Sequence, residues 1–222
     1  MSLRRPALIF DFGNVVAFFD YRLACGRLGQ PLGLTGEEFL ELARERGLTP
    51  VLQRYERGDD SSREFYQTVR RFMGLSIPYE AFAQAWADIF RLNEPVADVV
   101  HALKNLGYPL ILGSNTNAIH ANHFRKRFAE TFSLFDHLVL SYEIRHIKPS
   151  KEFYLACAEA AGTRPEDCVF IDDIPENVVG ARDAGLNAIQ YVETLRLIED
   201  LRLLGVEIEE MPTSSLERHH RA

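Results

Sequence analysis

At three places in the chain, reactive polar residues directly follow a short apolar run. Asp11 follows Ala7 to Phe10, Ser114-Asn115 follows Leu110 to Gly113, and Asp172-Asp173 follows Cys168 to Ile171, with Asn177 one helical turn further on. A fourth candidate, Lys148-Pro149, lies in the connection before the last of these. Adjacent carboxylates at the end of a buried strand repel each other. A divalent cation resolves that conflict, and oxygen ligands suit magnesium. The competing reading has Asp172 capping the helix that begins near Pro175, with Asp173 in water. Asp11 is either an ordinary turn residue or a carboxylate nucleophile toward a phosphoryl group. Ser114-Asn115 either caps a helix or holds an oxyanion with a hydroxyl and backbone N–H groups. Lys148 is either a loop cation or, set beside the carboxylates, a phosphate ligand that keeps them ionised.

The elements around these residues bring them together. From Pro95 onward the chain alternates: helix Pro95 to Leu106, strand Leu110 to Gly113, helix Thr116 to Glu130, strand His137 to Leu140, helix Ser150 to Ala161, strand Cys168 to Ile171, helix Pro175 to Ala184, strand Asn187 to Val192, helix Thr194 to Leu204. Apolar strands alternating with helices predict an α/β fold, a Rossmann-like doubly wound parallel sheet covered on both faces. In such sheets the ligand crevice lies at the carboxyl ends of the strands, where Asp11, Ser114, Lys148, Asp172 and Asp173 would converge. The stretch from Asp20 to Asn93 reads differently, with helical patterns over Gly36 to Arg46, Ser61 to Met73 and Tyr79 to Phe90 and no strand. Thr35 before Glu37-Glu38 and Ser61 before Glu64 are expected helix starts. The expected organisation is a core of residues 1–17 and 94–222, with a helical insert, 18–93, placed after the first strand. The tail after Met211 is expected to fray.

Bulk properties narrow the partners. The 222 residues are 46% apolar and 26% charged, with a net charge of -7 and a pI near 5.5. That acidity argues against nucleic acid or anionic lipid, but one lysine and one metal ion in a cleft still suffice for a phosphorylated substrate. Cys25, Cys157 and Cys168 are too dispersed for a disulfide framework or zinc site and read as buried, reduced thiols. No apolar run reaches membrane-spanning length, and the one ending at Asp11 is too short for a signal peptide, so a cytoplasmic protein is expected.

The order Ile9-Phe10-Asp11-Phe12-Gly13-Asn14-Val15, Ser114-Asn115, Lys148-Pro149, Asp172-Asp173 with Asn177 resembles the four motifs of the haloacid dehalogenase-like superfamily, from about Pro6 to Val192. Phe12-Gly13-Asn14-Val15-Val16, Glu56-Arg57-Gly58 and Ser114-Asn115-Thr116-Asn117 are similar to the bacterial sugar-phosphate phosphatases typified by alpha-D-glucose-1-phosphatase, whose small cap is all-helical. For Glu56-Arg57-Gly58, a helix end with Gly58 as its cap is an equally good reading.

The resemblance implies a magnesium-dependent phosphatase for a small phosphorylated metabolite. Asp11 forms an aspartyl-phosphate. Asp11, the Gly13 carbonyl and Asp173 hold Mg2+, with Asp172 a weaker or water-mediated ligand. Ser114, Lys148 and the Phe12, Gly13 and Asn115 region hold phosphoryl oxygens, and Asn177 orients Asp173. Most phosphatases of the superfamily carry a second Asp, the general acid, where this chain has Gly13, a loss worth about a hundredfold or more. Glu56, Asp20 and solvent are the candidate replacements, and a sugar 1-phosphate, whose anomeric oxygen leaves more readily, should suffer least. Two rivals remain: a 2-haloacid dehalogenase, disfavoured by the intact Asp172-Asp173 pair, and a phosphate-binding regulatory protein without turnover.

Overall fold

The protein is described by a computed structural model covering residues 5–208; the tail after Met211 lies outside the described residues. The first strand, β1 (Ala7–Phe10), is buried at all four positions, as a strand covered on both faces must be. A tight turn leads to β2 (Ala17–Phe19). Five helices follow: α1 (Tyr21–Gly29), α2 (Gly36–Glu45), α3 (Thr49–Arg57), α4 (Ser62–Met73) and α5 (Tyr79–Ala87). The chain then returns through β3 (Phe90–Leu92) and α6 (Glu94–Asn105) to β4 (Leu110–Ser114), α7 (Ala118–Arg127) and α8 (Ala129–Phe132). The remainder is β5 (His137–Leu140), α9 (Ser141–Ile144), α10 (Lys151–Ala160), β6 (Cys168–Asp172), α11 (Pro175–Asp183), β7 (Asn187–Gln190) and α12 (Thr194–Leu203).

Five strands form one parallel sheet in the order β5-β4-β1-β6-β7. The period of two along each strand sends side chains to two separate cores. Leu8, Phe10, Leu110, Leu112, Val169 and Ile171 join one apolar cluster with α6, α12 and the insert. Ile9, Ile111 and Phe170 join the other with Phe153 and Tyr154 of α10. Because β1 lies at the centre, Asp11 emerges between the ends of β4 and β6.

The expectation of no strand between Asp20 and Asn93 fails. The helix expected to reach Phe90 stops at Ala87, and β3 pairs antiparallel with β2 through Ala17↔Leu92, Phe18↔Arg91 and Phe19↔Phe90. Three residues are too few to display an alternation. This ribbon carries the chain out of the sheet and back, and Asn93 secures its base by donating from Nδ2 to the Val15 carbonyl (2.8 Å) and the Tyr191 hydroxyl (2.9 Å). The two expected helix starts are full capping boxes, Thr35 with Glu38 and Ser61 with Glu64. Among the described residues no helix is long and apolar enough to cross a membrane.

Candidate active site

The turn after β1 has an unusual hydrogen-bond pattern. The Ala17 N–H donates to the Phe12 carbonyl (2.8 Å) and the Asn14 N–H to the Ala17 carbonyl (2.7 Å). This small bridge straddles Gly13, whose own N–H and carbonyl take no part in it. Asn14 adopts φ 57°, a conformation Asn tolerates better than most residues, and its Nδ2 donates to Asp173 Oδ2 at 3.2 Å. The Phe12 ring turns away into an aromatic cluster with Phe90, Phe124 and Phe132, so only its backbone belongs to the site.

Lys148 is the pivot. Its Nζ sits 2.7 Å from Asp11 Oδ1 and 2.7 Å from Asp172 Oδ2, with its side chain buried. The Phe12 N–H also donates to Asp11 Oδ1 (2.7 Å), and no protein hydrogen bond reaches Oδ2 among the described residues. Asp11 therefore has one oxygen anchored and one free, as an in-line nucleophile requires. Asn115 clamps the lysine backbone, accepting from Lys148 N at 2.9 Å and donating to Lys148 O at 3.2 Å. Its side chain is thus committed, and a phosphate contact from Asn115 is left to its backbone.

One expected role changes. Asn177 was expected to orient Asp173; its Nδ2 instead donates to both oxygens of Asp172 (3.0 and 3.1 Å). Asp172 also accepts from the Ile174 N–H (2.9 Å). With Lys148, its four lone-pair sites are engaged by protein, which makes Asp172 an anchor for Lys148, in keeping with the weaker or water-mediated metal role expected of it. Asp173 is held by Asn14, which sequence reasoning had given no role. Ser114 is not a helix cap. The α7 cap is Asn117, which accepts from the His120 N–H, and among the described residues the Ser114 hydroxyl makes only a 3.3 Å contact to the Asn115 carbonyl.

The electrostatics follow from burial. Desolvation pushes the Asp11 carboxyl up to about 7, against the pull of Lys148 and with the repulsion of Asp172 and Asp173. Burial alone would lower Lys148, but Asp11 and Asp172 outweigh it and hold its pKa above the ordinary lysine value. Burial raises Asp173 too, opposed by Asn14 and aided by Asp172. Oxygens of Asp11, Asp172 and Asp173 lie within 4.8 Å of one another. Three carboxylates against one ammonium leave a net negative, all-oxygen pocket that a hard divalent cation fits.

The cavity above this cluster holds about 350 Å3. Thr49, Leu52, Gln53 and Glu56, one face of α3 at spacings of three and four, form its far wall together with Tyr21 and Phe19. The Ser141 hydroxyl ties that wall to the sheet, lying 2.5 Å from the Glu56 carbonyl and accepting from the Thr116 N–H at 2.9 Å. Gly58 does cap α3, at φ 82°, and the chain there passes so close to α9 that a Cβ would meet the Tyr142 carbonyl oxygen at 2.2 Å.

A parallel sheet carries a buried carboxylate–lysine cluster at its strand ends, where open α/β sheets bind their ligands. The family model of the haloacid dehalogenase-like hydrolases matches residues 7–185, and the chain belongs to that family; it is a hydrolase. It is similar to the D-ribitol-5-phosphate phosphatase of Bacteroides thetaiotaomicron, with 26% identity over 190 residues, 82% of this chain and 90% of that protein. A crystal structure of a family enzyme from the same organism, in complex with magnesium and inorganic phosphate, superposes with a TM-score of 0.72 at 25% identity, covering 85% of this chain and 95% of that one. The chain also matches the rat bifunctional epoxide hydrolase 2 at 27% identity, but spans only 26% of that protein's length.

Proposed function

We propose that the protein is a magnesium-dependent phosphomonoester hydrolase acting on a small phosphorylated metabolite, a sugar or polyol phosphate, through an aspartyl-phosphate on Asp11. The observation that carries this reading is the split environment of the Asp11 carboxylate, with Oδ1 fixed by Lys148 and the Phe12 N–H and Oδ2 free beneath the cavity. Asp11 Oδ2 attacks phosphorus, the bond to the leaving oxygen breaks, and water then releases phosphate and regenerates the carboxylate. The Ser114 hydroxyl, the Gly13 N–H and Lys148 hold phosphoryl oxygens, so catalysis is mainly positioning and charge neutralisation. Asp11, the Gly13 carbonyl and Asp173 would hold Mg2+, which when bound offsets the carboxylate repulsion and the phosphoryl charge. Residues 18–93 serve as a helical cap on a core of 1–17 and 94–222, placing the α3 face over the phosphoryl site. The three reduced, buried cysteines are in keeping with action in the cytoplasm.

The test is phosphate release from p-nitrophenyl phosphate with and without magnesium, beside chloride release from 2-chloropropionate. Magnesium-dependent phosphate release with no chloride release is expected. Chloride release without metal would overturn the reading in favour of a dehalogenase, and no turnover of either in favour of a binding protein.

A further inference from the structure

An alkoxide leaves phosphorus slowly unless it is protonated as the bond breaks. The turn after Asp11 cannot supply that proton. A Cβ built on Gly13 would lie 2.8 Å from the Phe19 ring, so the ribbon occupies the place where a side chain would project. The other titratable groups lining the cavity are also unsuited. His120 is neutral, its pKa driven down to about 3 by burial, and both ring nitrogens are engaged: Asn117 Nδ2 donates to Nδ1 (3.0 Å) and Nε2 donates to the Trp86 carbonyl (3.0 Å). Lys148 is held between two carboxylates. Burial raises Tyr21 well above the ordinary tyrosine value, leaving it a poor acid. Asp20 lies outside the cavity wall, paired with Arg22.

Glu56 remains. It ends the cavity-lining face of α3, and its backbone is fastened to the sheet through Ser141. Its Oε1 accepts from the Tyr21 hydroxyl at 3.2 Å, and no protein hydrogen bond to Oε2 is present among the described residues. Burial pushes its carboxyl up to about 7, against lowering by Tyr21 and Lys148, so it exchanges a proton near neutrality.

We propose that Glu56, on the insert, is the catalytic acid and base of this site, protonating the departing oxygen and then taking the proton of the hydrolytic water. The inference rests on the phosphatase reading above. In the first step Asp11 Oδ2 bonds to phosphorus, the phosphorus–oxygen bond to the leaving group breaks, and the Glu56 proton passes to that oxygen, releasing an alcohol. In the second, water attacks phosphorus, its proton passes to the Glu56 carboxylate, and the bond to Asp11 breaks. Water and phosphomonoester are consumed, alcohol and phosphate are formed, and both side chains return to their starting states.

The experiment measures kcat/KM, which reports the first step, for p-nitrophenyl, phenyl and benzyl phosphate with the natural protein, Glu56→Gln and Asp11→Asn. Gln is isosteric and still accepts from Tyr21, so folding, checked by thermal midpoint, should persist. Glu56→Gln should lose about a hundredfold on benzyl phosphate and less than about threefold on p-nitrophenyl phosphate, whose leaving group needs no proton. In the natural protein, turnover of benzyl phosphate should fall above pH ~7 while p-nitrophenyl phosphate shows no such limb; this arm needs no variant. Tyr21→Phe removes a hydrogen bond to ionised Glu56 and should move that limb to higher pH. Equal losses on all three substrates, no loss on any, or superimposable pH limbs would overturn the role of Glu56 while an inactive Asp11→Asn left the phosphatase reading standing. A natural protein inactive on every ester would overturn both.

Discussion

At the strand ends, Asp11, Lys148, Asp172 and Asn177 touch one another at 2.7 to 3.1 Å. On the insert side, the Glu56 side chain has one hydrogen bond among the described residues, 3.2 Å from Tyr21, and Phe19, Leu52 and Ile89 line the same cavity. Both walls raise a carboxyl to about 7, chiefly by burial, but with different consequences. Around Asp11 burial is joined by the repulsion of two further carboxylates and countered by a lysine in contact. Around Glu56 it reflects mostly dry surroundings. In the proposed reaction the first environment fixes charges where the phosphoryl group is neutralised. The second leaves one group free to change charge. An active site that needs both a permanent electrostatic frame and a mobile proton can divide them between two structural units.

The comparison breaks most visibly at the proposed nucleophile. Asp11→Asn should reduce phosphate release by at least about 10⁴-fold and leave the fold intact, because Lys148 keeps Asp172 as a partner; normal turnover by a folded Asp11→Asn protein would remove the mechanism. Lys148→Met strips the cation from two buried carboxylates and should cost about 3–5 kcal/mol in denaturant unfolding, so an unchanged midpoint would show that the cluster is held by something else. Gly13→Asp drives a side chain into Phe19 and should cost about 1–3 kcal/mol as overpacking. Phe19→Ala in the same chain should recover that loss, and failure to recover it would place the conflict elsewhere in the turn.

On the insert side the expected effects are smaller. The folded pKa of Glu56, about 7, stands above the 4.5 of an ordinary glutamate. Its contribution to stability is therefore fully present below pH 4.5 and is lost as the pH rises through 7. Natural protein and Glu56→Gln should converge in stability at low pH and diverge as the pH rises from 4.5 to about 7, with the variant the more stable above that by on the order of 1–3 kcal/mol. Thermal melts at pH 5 and 8 would check the sign. Ser61→Ala, which removes a cap outside the cavity lining, should cost about 1 kcal/mol with kcat/KM unchanged; a change in turnover would mean that insert packing, not only the α3 face, controls the site.

The chain by itself determined the parallel sheet, because buried strands such as Ala7 to Phe10 and Cys168 to Ile171 are unbroken apolar runs, and their polar successors then converge by topology. It also determined the capping boxes at Thr35 and Ser61, where signal and structure lie within four residues. Only the tertiary structure decided which group serves which. Asn14 rather than Asn177 holds Asp173, because the left-handed turn aims Asn14 across 159 residues of sequence. Asn115 grips Lys148, and Phe19 fills the space over Gly13, through a β2–β3 ribbon too short to leave a period. Glu56 was legible as a candidate but not as the remaining one. Its standing depends on His120 being neutral and Asp20 facing away, and those are consequences of burial and packing that no local spacing encodes.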